Sequence, residues 1–175
     1  MKILVLTCEE DDVLLRLARE ITEGTREASE SPSSAKNDFS GVAWADLVFL
    51  GFTTHRRFLW NHASDRVLRA LKENEGVWRG KRIALFAACY GEASRAAMSD
   101  VVRAASEAGA GSGSAGARVV NTLAIVAQRT KQGGWEANEV DLARARGFGE
   151  RTTNNANGRT VFKHNEKRRI KKYLK

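Results

Sequence analysis

Three short, unbroken apolar runs, at residues 3–6, 47–50 and 83–88, alternate with segments whose apolar residues recur at helical spacing. A strand that is apolar at every position needs cover on both faces. That is the signature of a parallel sheet sandwiched between helices, and not of a sheet with one wet face. A looser fourth run spans residues 119–126. Strand alternating with helix requires right-handed crossovers, so the expected class is α/β with a doubly wound parallel sheet.

The helical stripes are explicit. Leu14, Leu17, Ala18 and Ile21 share one face, with Asp11 or Asp12 placed to cap the helix. Val67, Leu68 and Leu71 follow Ser64, and Ala97, Val101, Val102 and Ala105 form a third stripe. A last helix is expected from about Glu136, with Val140 and Ala143 inward and Arg144 solvated. Residues 25–38 are polar where one more strand should lie, and a short edge strand is expected near residues 33–37. Residues 109–116 contain only Gly, Ser and Ala and read as a flexible helix-to-strand connection.

Composition narrows the class further. At 175 residues with 42% hydrophobic content, the chain suits one domain with a sizeable core. No apolar run approaches the roughly 20 residues of a membrane-crossing helix. The apolar start gives way at once to Glu9, Glu10, Asp11 and Asp12, unlike a secretory leader. Two cysteines do not make a disulfide scaffold, and a cytoplasmic location is the expectation. The net charge of +8 is concentrated at one end: residues 159–175 carry +7, leaving +1 for residues 1–158. The expected organisation is therefore a domain over 1–158 and a basic tail over 159–175. In that tail Phe162, Ile170, Tyr173 and Leu174 could share a helix face, and the positive charge allows contact with a polyanion. A solvated terminus is the simpler reading.

Several segments together carry a family resemblance. Ala45-Asp46-Leu47-Val48-Phe49-Leu50-Gly51, followed by Thr53-Thr54, resembles the third strand and middle cofactor loop of flavodoxins. Trp78-Arg79-Gly80-Lys81-Arg82-Ile83-Ala84-Leu85-Phe86 resembles the approach to their fourth strand, with Cys89-Tyr90-Gly91 as the loop beyond. Glu139-Val140-Asp141-Leu142-Ala143-Arg144-Ala145 is similar to their closing helix. The resemblance implies a five-stranded parallel sheet in the order 2-1-3-4-5, with FMN at the switch point and electron transfer to a redox partner protein. It also implies a cofactor-binding set of Thr53, Thr54, His55, Arg57, Cys89, Tyr90 and Gly91. Tyr90 would stack on the flavin ring and the threonines would hydrogen-bond its polar edge. Arg56 or Arg57 would meet the phosphate. In the implied order Cys8 and Cys89 lie two strand spacings apart, about 9–10 Å. That exceeds the roughly 7 Å limit for a disulfide, so both are expected as free thiols.

The first loop departs from this pattern. Flavodoxins hold the FMN phosphate in a Ser/Thr- and Gly-rich loop after strand 1, whereas this chain has Thr7-Cys8-Glu9-Glu10-Asp11-Asp12. Four carboxylates repel a phosphate dianion, and they also suit the start of a helix, where they complement its dipole. Other readings follow from the same loops. The acidic cluster is similar to the magnesium site of receiver domains, but Gly51 and Phe52 stand where a phosphoacceptor aspartate is required. Cys8, His55 and Cys89 could gather near one end of the sheet, without the spacing of a zinc site. A cofactor-free binding module that uses the strand-end loops is the main alternative to a flavoprotein.

Overall fold

A computed structural model of the chain describes residues 1–26, 33–34, 39–57, 60–91, 94–108 and 116–158. The elements in order are β1 (Ile3–Thr7), α1 (Asp12–Thr25), β2 (Ser33–Ser34), α2 (Ser40–Trp44), β3 (Leu47–Arg57) and β4 (Trp60–Ala63). There follow α3 (Asp65–Glu73), α4 (Glu75–Trp78), β5 (Arg82–Tyr90), α5 (Ser94–Glu107) and β6 (Arg118–Val126). The chain ends its described part with β7 (Gln128–Arg129), β8 (Trp135–Glu136) and α6 (Glu139–Ala156). The tail beyond 158 and most of the Gly/Ser/Ala segment lie outside the described residues.

The main sheet runs β2-β1-β3-β5-β6, all parallel, and β4 adds to β3 antiparallel. Alternation along each strand sends its side chains to two separate cores. Ile3, Val5, Leu47, Phe49, Ala84 and Phe86 face α1 and α6. Leu4, Leu6, Val48, Leu50, Ile83 and Leu85 face the side covered by α2, α3 and α5. The unbroken apolar runs of the sequence are thus strands buried on both faces.

Three expectations are corrected. Among the described residues a sixth, antiparallel strand joins the five parallel ones, because the segment after Gly51 does not turn into a loop. β3 continues to Arg57 and returns as β4, pairing Thr54 with Ala63 and Arg57 with Trp60. Phe52, Thr53 and Thr54 are aromatic or β-branched, the residue types that fit a pleated surface best. In the same way β5 extends through Cys89 to Tyr90, and only Gly91 lies beyond it, at φ 107.

The third correction concerns α6. Val140 is 69% exposed and Ala143 is also exposed, whereas Leu142, Ala145, Phe148 and Gly149 point inward. The helix starts at its Asn138 cap, whose side chain accepts from the Asp141 N–H at 2.8 Å. Its packing on α1 then fixes the inward face by backbone contact. A Cβ on Gly149 would sit 2.3 Å from the Ile21 carbonyl oxygen, and one on Gly24 would sit 2.0 Å from that of Arg146. The two glycines let the helices approach more closely than side chains permit. Arg146 closes the contact with ion pairs to Glu20 and Glu23.

Candidate functional site

The carboxyl ends of β1, β3 and β5 lie side by side, and their loops converge where the crossover from β1 toward β2 and that from β3 toward β5 leave in opposite directions. In open parallel sheets that crevice is the usual place for a ligand.

From β1 comes the acidic turn. The Cys8 N–H extends the β1–β3 ladder to the Gly51 carbonyl at 2.8 Å and buries the thiol, which burial and the neighbouring Glu9 push above the ordinary range. Glu9 turns inward to β3. Its Oε2 accepts the Thr53 N–H at 3.1 Å and the Thr53 hydroxyl as well, while Oε1 is buried without a partner among the described residues. Burial raises the Glu9 pKa, against the opposing pull of the Thr53 hydrogen bonds, His55 and Arg66. Asp11 is the α1 N-cap: Oδ1 accepts the Leu14 N–H at 2.9 Å. Its Oδ2 accepts the Tyr90 phenol at 2.5 Å.

From β3 come Thr53 and Thr54, both buried, and His55, which is exposed. His55 Nε2 lies 3.1 Å from Thr53 Oγ1. The single hydroxyl proton of Thr53 goes to Glu9, so the histidine must supply the proton of this second bond from Nε2. The imidazole also lies flat on the Tyr90 ring, with centroids 5.0 Å apart and planes 9° from parallel. From β5 come buried Cys89, half-buried Tyr90 and then Gly91. Cys8 and Cys89 are not joined in a disulfide, as the strand spacing implied. Burial, and next the Asp11 hydrogen bond, push the Tyr90 phenol well above its ordinary pKa.

Of the seven residues expected at a cofactor site, the structure brings Thr53, His55 and Tyr90 into one connected cluster with Glu9 and Asp11. Thr54 and Cys89 are paired neighbours on β3 and β5 and are buried. Arg57 lies further out along β3, opposite Trp60. The side chains of Arg56, Arg57 and Trp60 are outside the described residues. No group of three metal-ligating side chains gathers among the described residues.

Trp135 belongs to the site and was not anticipated. After β6, Ala127 bonds to the Cys89 carbonyl and the chain forms the β7–β8 hairpin, turning through Gly133 at φ 88. Trp135 meets Tyr90 edge to face, with centroids 5.2 Å apart and planes 78° apart. The pair of glycines at 133 and 134, just before a tryptophan and beyond the last strand, was the available signal for it. The resulting cleft, about 500 Å³, is lined by Asp11, Asp12, Val13, His55, Tyr90 and Trp135. A second cleft of about 650 Å³ opens on the other side of His55, between the acidic turn and the start of α3, with Arg66 on its wall.

These residues do not fit the phosphate of FMN. A helix N-terminus binds phosphate through free N–H groups and a positive dipole end. At α1 the Asp11 carboxylate already takes the Leu14 N–H, and Glu10 and Asp12 flank it. Nor does Tyr90 offer both ring faces, because His55 covers one. The receiver alternative lacks its phosphoacceptor carboxylate at Gly51. A Cβ on Gly51 would lie 2.3 Å from the Phe86 ring, so no aspartate fits there.

Comparison with solved structures gives the fold. The chain is similar to oxidised flavodoxin 2 from Bacillus cereus, at 16% identity and TM-score 0.66 over 89% of this chain and 99% of that one. Flavodoxin 1 from the same organism matches at 16% identity and TM-score 0.62, over 87% and 97%. A flavone reductase matches at 12% identity and TM-score 0.66, over 90% of this chain and 63% of that one. No family model and no curated protein sequence matches the chain. Among the described residues no helix is long and apolar enough to cross a membrane.

Proposed function

With the flavodoxin-like fold as premise, we propose that this chain is a ligand-binding module that uses the strand-end cleft without anchoring an FMN phosphate. The observation that carries this reading is the double engagement of Asp11, which caps α1 and holds Tyr90 with the same carboxylate. An internal anion occupies the place where a flavodoxin-type site needs an external one. The rest of the cleft keeps the properties of a ligand site: concave, partly aromatic, with a few convergent polar groups. Two buried cysteines not joined in a disulfide suit a reducing compartment such as the cytoplasm.

The second reading is an FMN-associated carrier that passes electrons to a partner protein. The likeness of its fold to whole flavodoxins favours it. It requires a phosphate anchor other than the β1–α1 turn.

Fluorescence quenching of FMN and of riboflavin, each titrated with the purified chain at low and high salt, separates the two. The binding-module reading expects no flavin absorbance in the purified protein. It also expects FMN to bind no better than riboflavin, and added salt to narrow the gap by screening. Asp11→Ser keeps a capping oxygen and removes the charge, so it should improve FMN binding more than riboflavin binding. Tight FMN binding by the natural sequence, insensitive to salt and to Asp11→Ser, would establish the flavoprotein instead.

A further inference from the structure

The cleft beside Trp135 has a lining that selects one kind of ligand. Tyr90 and Trp135 meet at 78°, so their rings form two walls of a corner and not a stack. Trp135 is 44% exposed, a large aromatic surface left open at the cleft mouth. Asp11 and Asp12 supply two carboxylates, and among the described residues the lining contains no lysine or arginine. Asp11 is engaged by Leu14 and Tyr90. Asp12 is exposed, and has no hydrogen bond or ion pair among the described residues. Perpendicular aromatic faces beside a free carboxylate attract a positive charge through the ring quadrupoles and the anion together. A neutral planar ring would use the aromatic walls and leave the carboxylates without a role, and an anion would be repelled by them.

We propose that this corner binds an organic cation of the alkylammonium type, with Tyr90 and Trp135 as its aromatic walls and Asp12 as its counter-ion. The proposal rests on the strand-end cleft being a ligand site, and it adds the chemistry of the ligand. A cavity of about 500 Å³ is in the range that encloses a small molecule. The cationic head would sit against the two rings, with any remaining chain directed out past the hairpin.

The test is calorimetric titration of the full chain with choline and with its neutral isostere 3,3-dimethylbutanol. Choline should bind with a Kd of about 1 mM or tighter, and the neutral isostere at least about tenfold more weakly. Trp135→Ala should weaken choline binding about tenfold, and Asp12→Asn should weaken it while flattening its salt dependence. Trp44→Ala, which removes an exposed tryptophan outside the cleft lining, should leave binding unchanged. Asp12 is an exposed first-turn residue, so its variant keeps the test open if the hairpin variant folds poorly. A peptide containing trimethyllysine serves as a third ligand. Tighter binding than choline would identify a protein side chain as the source of the cation, and weaker binding a small molecule. Equal binding of choline and its isostere, absent choline binding, or an unchanged Trp135→Ala would overturn the proposal. Tight FMN binding in the parallel flavin titration would overturn the binding-module reading itself, whereas failure of choline with no FMN bound removes only the cation.

Discussion

The phenol of Tyr90 donates to Asp11 Oδ2 at 2.5 Å, tying the end of β5 to the N-terminus of α1. One carboxylate therefore serves two elements, since its other oxygen caps the helix through Leu14. This bond separates the chain chemically from proteins whose first loop is open to a phosphate. It also makes the site sensitive to charge at a single position.

Tyr90 should resist ionisation. Burial and the Asp11 hydrogen bond both favour the neutral phenol, so the folded chain holds this proton at pH values where the unfolded chain releases it. The raised pKa leaves stability unaffected below the ordinary tyrosine value of about 10, and lowers it as pH rises beyond that. Spectrophotometric titration of Tyr173→Phe, which leaves Tyr90 as the single tyrosine, should show phenolate appearing only with alkaline unfolding. Asp11→Asn, which retains a capping oxygen without the charge, should bring the transition to lower pH. A reversible transition near the ordinary value in the folded natural sequence would contradict the bond.

Glu9 should weaken the fold at neutral pH. Its pKa is raised chiefly by burial, so its charged form is disfavoured in the folded state more than in the unfolded one. The sign follows directly: at pH below the ordinary glutamate value of about 4.3 both states are protonated and the effect vanishes. As pH rises through the raised folded value the penalty develops in full. Glu9→Gln can still accept both bonds from Thr53 through its amide oxygen. Its melting temperature should exceed that of the natural sequence at pH 7, with the two converging toward pH 4. A lower melting temperature at every pH would mean that the carboxylate is a net stabiliser.

Part of the site was open to sequence reading, and the limits have physical causes. The continuous apolar runs revealed strands with two buried faces, because burial on both faces leaves a composition signal at every position. The continuation of β3 past Gly51 left a weaker one. Thr53, Thr54, His55 and the two arginines are polar, and their strand character comes from pairing with the end of β5 and with residues 60–63, both tertiary contacts. The inward face of α6 escapes the apolar periodicity for a related reason. Gly24 and Gly149 set its rotation by permitting backbone contact, and a glycine adds nothing to an apolar stripe. His55 and Tyr90 were both recognisable as strand-end residues, but their stacking depends on the β3–β5 register, which pairs these two residues directly. Trp135 lay on a two-residue strand that no periodicity could reveal.

Gly51 should tolerate no side chain. It lies on β3 between Thr7 and Phe86, and a Cβ would come within 2.3 Å of the fully buried Phe86 ring. That ring is held by the core under α1 and α6, including Phe49 and Phe148, so it has little room to yield. Gly51→Ala should therefore destabilise by about 1–3 kcal/mol through overpacking. For a chain of this size each kcal/mol should lower the melting temperature by roughly 2–4 °C. Gly51→Ala with Phe86→Leu should recover part of the loss, because the smaller side chain vacates the contested volume. Full stability of Gly51→Ala alone would show that the ring moves freely.

The domain should fold without residues 159–175, a boundary we propose from both charge and packing. α6 completes its own terminus before that point: Asn157 N–H reaches the Thr153 carbonyl at 3.0 Å, and Gly158 turns the chain at φ 69. Arg82 Nη1 donates to the Ala156 carbonyl at 2.8 Å, and Asn121 Nδ2 donates to Thr152 Oγ1 at 2.8 Å, so the last turns of the helix are fixed to β5 and β6. The residues that follow hold +7 of the net +8 and are mostly polar. A chain ending at Gly158 should keep a single cooperative melt with a midpoint close to that of the full length. Its net charge falls to +1, so binding to heparin or RNA should disappear together with its salt dependence. Heparin retention and thermal melts of the two lengths decide the matter. Loss of the cooperative melt on truncation would show that the tail is a docked part of the core, and retained heparin binding would place the basic surface on the domain.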